Sequence, residues 1–136
     1  MPLYTCITQE GTLSAEQRAG IATEITRIHT VRTGAPASFV RVIFKTLSPH
    51  STFAGGKPAV NAFLLGIIRA GRGTEGKAQL LNDLWFMYKK VTGLTDDQLF
   101  VTVIDVPASN GMEFGAILPN PGHEAEWLAS LGLTKE

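Results

Sequence analysis

The sequence predicts an α/β (α+β) fold in which two consecutive β-α-β units, about 2–47 and 61–107, share one four-stranded mixed sheet with two helices on one face. Three observations carry that expectation. Phe39-Val40-Arg41-Val42-Ile43 recurs as Phe100-Val101-Thr102-Val103-Ile104, and Thr33-Gly34 recurs as Thr92-Gly93 at nearly the same offset, so the chain reads as two similar halves. Within each half, short β-branched and aromatic segments flank a longer stretch of helical period. Finally, Phe63-Leu64-Leu65-Gly66-Ile67-Ile68 is apolar on both of its faces, which suits a sheet covered twice rather than one with a solvated side.

Taken in order, Leu3 to Thr8 alternates as a first strand. Ser14, with Gln17 at capping-box spacing, opens a helix whose apolar stripe is Ala22, Ile25, Ile28 and His29. Gly34 stands where a left-handed residue ends that helix, Pro36 blocks its continuation, and Phe39 to Leu47 is the second strand. Ser48 to Pro58, with its prolines and glycines, reads as a surface connection rather than a domain linker. Ala62 to Ile68 is the third strand. A helix from about Thr74 to Thr92 follows, with Leu80, Leu84, Met87, Tyr88 and Val91 inward and Gly93 as its stop, and Leu99 to Val106 is the fourth strand. Beyond Pro107, Gly111 to Gly115 reads as a hairpin or edge strand, and Pro121-Gly122 precedes a short helix around Glu124 to Leu131. The whole, 1–136, is expected to be a single domain with a C-terminal hairpin and helix over 108–136.

Composition narrows the function classes. With 44% hydrophobic residues in 136, the chain can bury a core, and disorder is excluded. Twelve basic residues balance twelve acidic ones, so no general attraction to nucleic acid or to an anionic membrane is expected, and any positive site must be local. One cysteine rules out an internal disulfide framework, and no apolar run approaches the ~20 residues of a spanning helix. Met1-Pro2-Leu3-Tyr4-Thr5 has neither a basic nor an apolar leader pattern and reads as the start of a strand, so a cytoplasmic location is expected. Right-handed crossovers put both helices on one face of the sheet and leave the other bare. Further copies of the same chain are the economical cover, which predicts a homo-oligomer.

Arg69 and Arg72, at the end of the third strand and in the Gly71-Arg72-Gly73 turn before the second helix, are the first candidate site residues. Two guanidinium groups beside a helix N-terminus make an anion site, with a small carboxylate as the expected guest; the alternative is that both simply solvate a loop, the usual fate of a lone arginine. Gly71-x-Gly73-x-x-Gly76 matches the dinucleotide fingerprint, but four strands in two opposed units are too few for that fold and no acidic residue ends the next strand at the required distance, so no cofactor is expected. Pro2 is the second candidate. Proline at position two permits removal of Met1, which leaves a secondary amine; an α-amino group of pKa about 7.7–8.0 is already roughly one tenth neutral at pH 7. Although proline's secondary amine is intrinsically more basic than that, burial and nearby arginines disfavour its charged form and pull the value down. Proline is also a common second residue with no special role. His29, at the edge of its helix stripe, is a candidate binder or a satisfied half-buried histidine, and Glu113, between Met112 and Phe114, either orients water or is a solvated edge-strand carboxylate. His29, His50 and His123 have no ligand spacing, so no metal is expected; Cys6 reads as a core residue, and Trp85, Phe86 and Tyr88 as packing.

These residues resemble the cis-3-chloroacrylic acid dehalogenase family of the tautomerase superfamily over nearly the whole chain. The likeness rests on Pro2 followed by Tyr4, His29, Arg69-Ala70-Gly71-Arg72, Val106-Pro107-Ala108, Met112-Glu113-Phe114-Gly115, and above all the segment from Leu118-Pro119-Asn120-Pro121-Gly122 to Trp127. The resemblance implies a tautomerase-like β-α-β repeat assembled as a homotrimer. It makes Pro2 the proton-transfer residue, His29, Arg69 and Arg72 the binders of a substrate carboxylate, and Glu113 the residue that positions water. The family's dehalogenases carry a tyrosine on the last main strand where this chain has Thr102, whose short hydroxyl cannot reach as far as a phenol. The expected function is therefore keto-enol tautomerisation of a small 2-oxo acid or related carboxylate, with hydration or dehalogenation of a 3-haloacrylate as one alternative and a non-catalytic anion-binding oligomer as another.

Overall fold

The alternating segment after Pro2 forms strand β1 (Leu3–Gln9), with Tyr4, Cys6 and Thr8 buried on one face. The computed structural model describes residues 2–133; Met1, with its expected removal, and residues 134–136 of the expected domain span lie outside the described residues. Helix α1 (Ala15–Thr33) opens on the capping box read from the sequence: Gln17 N donates to Ser14 Oγ at 3.0 Å, and Ser14 N donates to Gln17 Oε1 at 2.9 Å. It closes on Gly34 in the left-handed region at φ 74, whose N–H caps the Thr30 carbonyl. The inward stripe is Ile21, Ile25, Ile28 and His29; Ile21, one turn before Ile25, is buried in the place expected of Ala22, and Ala22 is only half-buried. The second strand also starts later than expected. Pro36 turns Ala37–Phe39 into a 3-10 turn, with Phe39 N bonded to the Pro36 carbonyl, and strand β2 runs Arg41–Leu47.

The connection that follows carries a hairpin of its own, β3 (Phe53–Ala54) and β4 (Lys57–Pro58), turned by Gly55 and Gly56 at φ 58 and 78. Two successive positive φ angles are what a two-residue hairpin turn requires, and glycine supplies them without a steric penalty. Strand β5 (Ala62–Arg69), helix α2 (Gly73–Thr92) and strand β6 (Leu99–Val106) then repeat the first unit. A second hairpin, β7 (Met112–Glu113) and β8 (Ala116–Ile117), and helix α3 (Glu124–Ser130) end the described chain.

The four long strands form one mixed sheet in the order β2-β1-β5-β6, parallel within each half and antiparallel between β1 and β5. Both long helices lie on one face, where Ile25 and Ile28 of α1 and Leu80, Leu84 and Tyr88 of α2 meet Cys6, Leu64 and Ile68 from the strands. Strand alternation sends Ile43, Ile67, Phe100 and Ile104 to the other face, where they are 41%, 41%, 55% and 52% exposed. One chain therefore leaves a broad apolar sheet face open to water, far more than scattered surface residues would. Among the described residues no helix is long and apolar enough to cross a membrane.

Candidate active site

The register brings the predicted residues toward one end of the sheet. Leu3 pairs with Arg41 on β2 and Ile67 on β5, and the carbonyl of Pro2 accepts from Arg41 N at 3.0 Å. Carried one residue further, the antiparallel register sets buried Pro2 across from Ile68, next to Arg69 at the end of β5. The β5–β6 register ends on Arg69 opposite Val106, and Ala70 N bonds the Val106 carbonyl at 2.8 Å, so β6 delivers its terminus to the same edge. Arg72 stands immediately before α2, and an open cleft of about 490 Å³ lies alongside, lined by Ala70 and Gly71, Pro107 to Ser109, and Asn120-Pro121.

The two arginines differ in how much of each guanidinium is free. Arg69 is 5% exposed; its Nη2 meets Glu124 Oε1 at 2.6 Å and its Nη1 the Pro119 carbonyl at 2.7 Å. Glu124, also 5% exposed, accepts Gly122 N through its other oxygen at 3.0 Å, so a buried ion pair ties β5 to the first turn of α3. Trp127 fixes the same helix by donating to the Ile117 carbonyl at 2.8 Å and packing edge-on against Phe39. Arg72 donates from Nη1 to the Thr33 carbonyl at 3.0 Å, at the negative end of α1. Its Nε is buried without a partner among the described residues. Burial, and then the charge of Arg69, lowers the pKa of Arg72 from its ordinary value.

His29 is 2% exposed, and its Nδ1 lies 2.7 Å from the hydroxyl of Tyr4, itself fully buried. Burial, followed by the charges of Arg72 and Arg69, pushes the imidazole down to about 3, so His29 is neutral at physiological pH. Tyr4 has room for its ring because residue 66 is glycine: a Cβ there would lie 2.6 Å from Tyr4 Cε1. Burial likewise pushes the Cys6 thiol up to about 12, which leaves it an inert core group.

Glu113 lies on the β7–β8 hairpin. One carboxylate oxygen is 3.9 Å from Arg41 Nη2, whose own backbone N–H holds Pro2, and the other is buried without a partner among the described residues. Thr102 is placed elsewhere. It pairs with Leu65 on the open face, about 13 Å back along the strand from the Arg69–Val106 end, so within one chain it does not join the cluster. Two contributors had no candidate role in the sequence reading. Tyr4 shares the inward face of β1 with Cys6 and Thr8, so period-two alternation alone aims it at the α1 stripe that ends in His29. Glu124 falls inside the segment ending at Trp127 that carries the resemblance, but nothing local to it signals a partner on β5. Among the described residues no group of three or more His, Cys, Asp or Glu could hold a metal ion.

Comparisons with known proteins agree with this architecture. Residues 1–130 match the family model described as "Putative oxalocrotonate tautomerase enzyme". Among solved structures, native Ps01740 is 47% identical with a TM-score of 0.80, covering 82% of this chain and 99% of its own. N1, a member of the cis-3-chloroacrylic acid dehalogenase family, is 32% identical with a TM-score of 0.89, covering 94% and 91%. An asymmetric trimer of R7 fused wild-type 4-OT is 25% identical with a TM-score of 0.77, covering 85% and 94%. Among curated proteins no match was found.

Proposed function

The chain belongs to this oxalocrotonate tautomerase family, within the tautomerase superfamily, and from that premise we propose that it moves a proton between carbon and oxygen of a small 2-oxo acid or related carboxylate, using the amine of Pro2 exposed by loss of Met1. What supports this is the convergence at one sheet end of the Pro2 strand start, the two arginines at the end of β5 and the start of α2, and a neutral buried histidine. The buried amine beside guanidinium charge is favoured as the neutral base, which takes a proton from the carbon next to the carbonyl. Arg72, with its unmatched Nε, grips the carboxylate, and Arg69 adds its remaining N–H groups and charge to stabilise the enolate. Once the substrate carboxylate offsets the arginines, the pull on the amine weakens and the same nitrogen returns the proton as an acid. No cofactor takes part in this chemistry.

The test is Pro2→Ala, with intact mass first establishing that Met1 is absent. Ketonisation of phenylenolpyruvate should slow by on the order of 10²–10⁴, about 3–5 kcal/mol of barrier. An undiminished rate overturns the assignment, and retention of Met1 would leave an anion-binding oligomer as the surviving alternative.

One observation favours a second activity at this site. The unpartnered Glu113 oxygen can hold and activate a water, so that protonated Pro2 and Glu113 add water across a 3-substituted acrylate or acetylenic acid. Halide release from cis-3-chloroacrylate tests it, and Thr102 in place of a longer phenol predicts that this activity is the weaker. The open apolar sheet face, and the trimeric assembly of the fused 4-OT neighbours, support a homotrimer as the working form.

A further inference from the structure

A neutral imidazole carries its proton on one of two nitrogens, and the hydrogen bond made by the other decides which. Tyr4 Oη lies 2.7 Å from His29 Nδ1, with the rings edge-on at 74° and both side chains almost entirely buried. Two arrangements fit that contact: Tyr4 donates to Nδ1, or Nδ1–H donates to Tyr4. In the second, the phenolic proton needs another acceptor, and no bond from Tyr4 other than that to His29 exists among the described residues. A buried hydroxyl proton left unpaired costs more than the bond contributes, so the second arrangement is the unfavourable one. Transfer of the proton outright is also disfavoured, because burial raises Tyr4 above its ordinary value while burial and the arginines depress His29.

We propose that Tyr4 is a positioning residue which donates to Nδ1 and holds His29 as the Nε2–H tautomer, so that His29 meets the substrate as a neutral hydrogen-bond donor and never as a base. The surroundings fix the pair from both sides. Thr33 Oγ1 donates to the His29 carbonyl at 2.7 Å while the Thr33 carbonyl is held by Arg72, and Gly66 leaves the space in which the Tyr4 ring lies. A donor at Nε2 recognises a carbonyl or carboxylate oxygen, which leaves Pro2 as the base. The substrate side of this inference rests on the proposed proton-transfer function; the tautomer itself does not.

The experiment uses the full-length protein labelled with ¹⁵N-histidine at pH 7, with His50→Gln and His123→Gln variants to assign the signals. His29 should show a protonated, pyrrole-type Nε2 and a pyridine-type Nδ1. In Tyr4→Phe the Nδ1–H form should become populated, and kcat/KM for phenylenolpyruvate should fall about tenfold, the loss of one hydrogen bond to a transition-state contact. A wild-type spectrum with Nδ1 protonated, or a tautomer ratio unchanged in Tyr4→Phe, overturns the proposal. Because the wild-type spectrum needs neither turnover nor the variant to fold, it separates failure of this inference from failure of the Pro2 assignment.

Discussion

Replacing Glu124 with glutamine keeps the volume and one acceptor but deletes the charge that answers buried Arg69. Removing one partner of a buried ion pair outright costs about 3–5 kcal/mol, and a hydrogen bond to a charged group contributes about 1.5–3 kcal/mol; with an amide oxygen still in place, a loss of about 2–4 kcal/mol is expected. For a chain of this length that corresponds to a fall in Tm of about 10 °C at pH 7, read by circular dichroism at fixed protein concentration. The pH dependence sharpens the test. Burial by itself lifts the Glu124 carboxyl, but the Arg69 hydrogen bond and charge, with the backbone N–H groups of Glu124 and Gly122, outweigh it and hold the group below its ordinary value of 4.5. A depressed native pKa gives stability that is complete above the unfolded value and is lost as pH falls through the native one. The gap between wild type and Glu124→Gln should therefore be full near pH 6–7 and close progressively below about pH 4.5, as wild-type Glu124 takes up the proton that glutamine mimics. The acid penalty of His29, which accrues below about pH 6.5, is common to both proteins and cancels in the difference. A Tm within about 2 °C of wild type at pH 7, or a gap independent of pH, refutes the reasoning.

Two further outcomes follow from the packing. Gly66→Ala places a Cβ 2.6 Å from Tyr4 Cε1 and 3.2 Å from Val103 Cγ1, so it should lower stability by about 1–3 kcal/mol in urea unfolding and displace the Tyr4 ring from His29; a neutral substitution would mean that the ring is free to move. Ile104→Glu puts a charge into the open apolar face, so sedimentation should report a shift from the proposed trimer toward monomer, and an unchanged mass would show that this face is not the one that other copies cover.

Much of this fold is written in local chemistry. The Ser14–Gln17 capping box, the glycines at 34 and 93 and the recurrence of the Phe39–Ile43 pattern at Phe100–Ile104 each act over a few residues, and both β-α-β units and the sheet class follow from them. The β3–β4 hairpin escaped because Gly55-Gly56 lacks alternating apolar flanks, and the early start expected for the second strand failed because Pro36 commits Ala37–Phe39 to a tight turn. At the site, sequence could nominate Arg69 and Arg72 by their place at a strand end and a helix start, but it could not distinguish them. That distinction comes from Glu124, more than fifty residues away, which occupies one guanidinium and leaves the other with an open Nε. The Tyr4–His29 bond is intermediate: alternation and helical period each point one partner inward, and only the pairing of β1 with α1 brings them together. Thr102 marks the opposite case: the sequence nominated it by its place on the last main strand, and the register sets it on the open face, away from the Arg69–Val106 end.

The claim on which the rest depends is that the amine of Pro2 is a free group held neutral near physiological pH. Its direct test is a ¹⁵N-proline titration of the mature protein with and without a small carboxylate ligand. The amine should titrate below the ordinary α-amino value of about 7.7–8.0 and move upward when the carboxylate binds the arginines. A value at or above the ordinary one that is insensitive to the ligand, or a chain that still begins with Met1, would contradict the account.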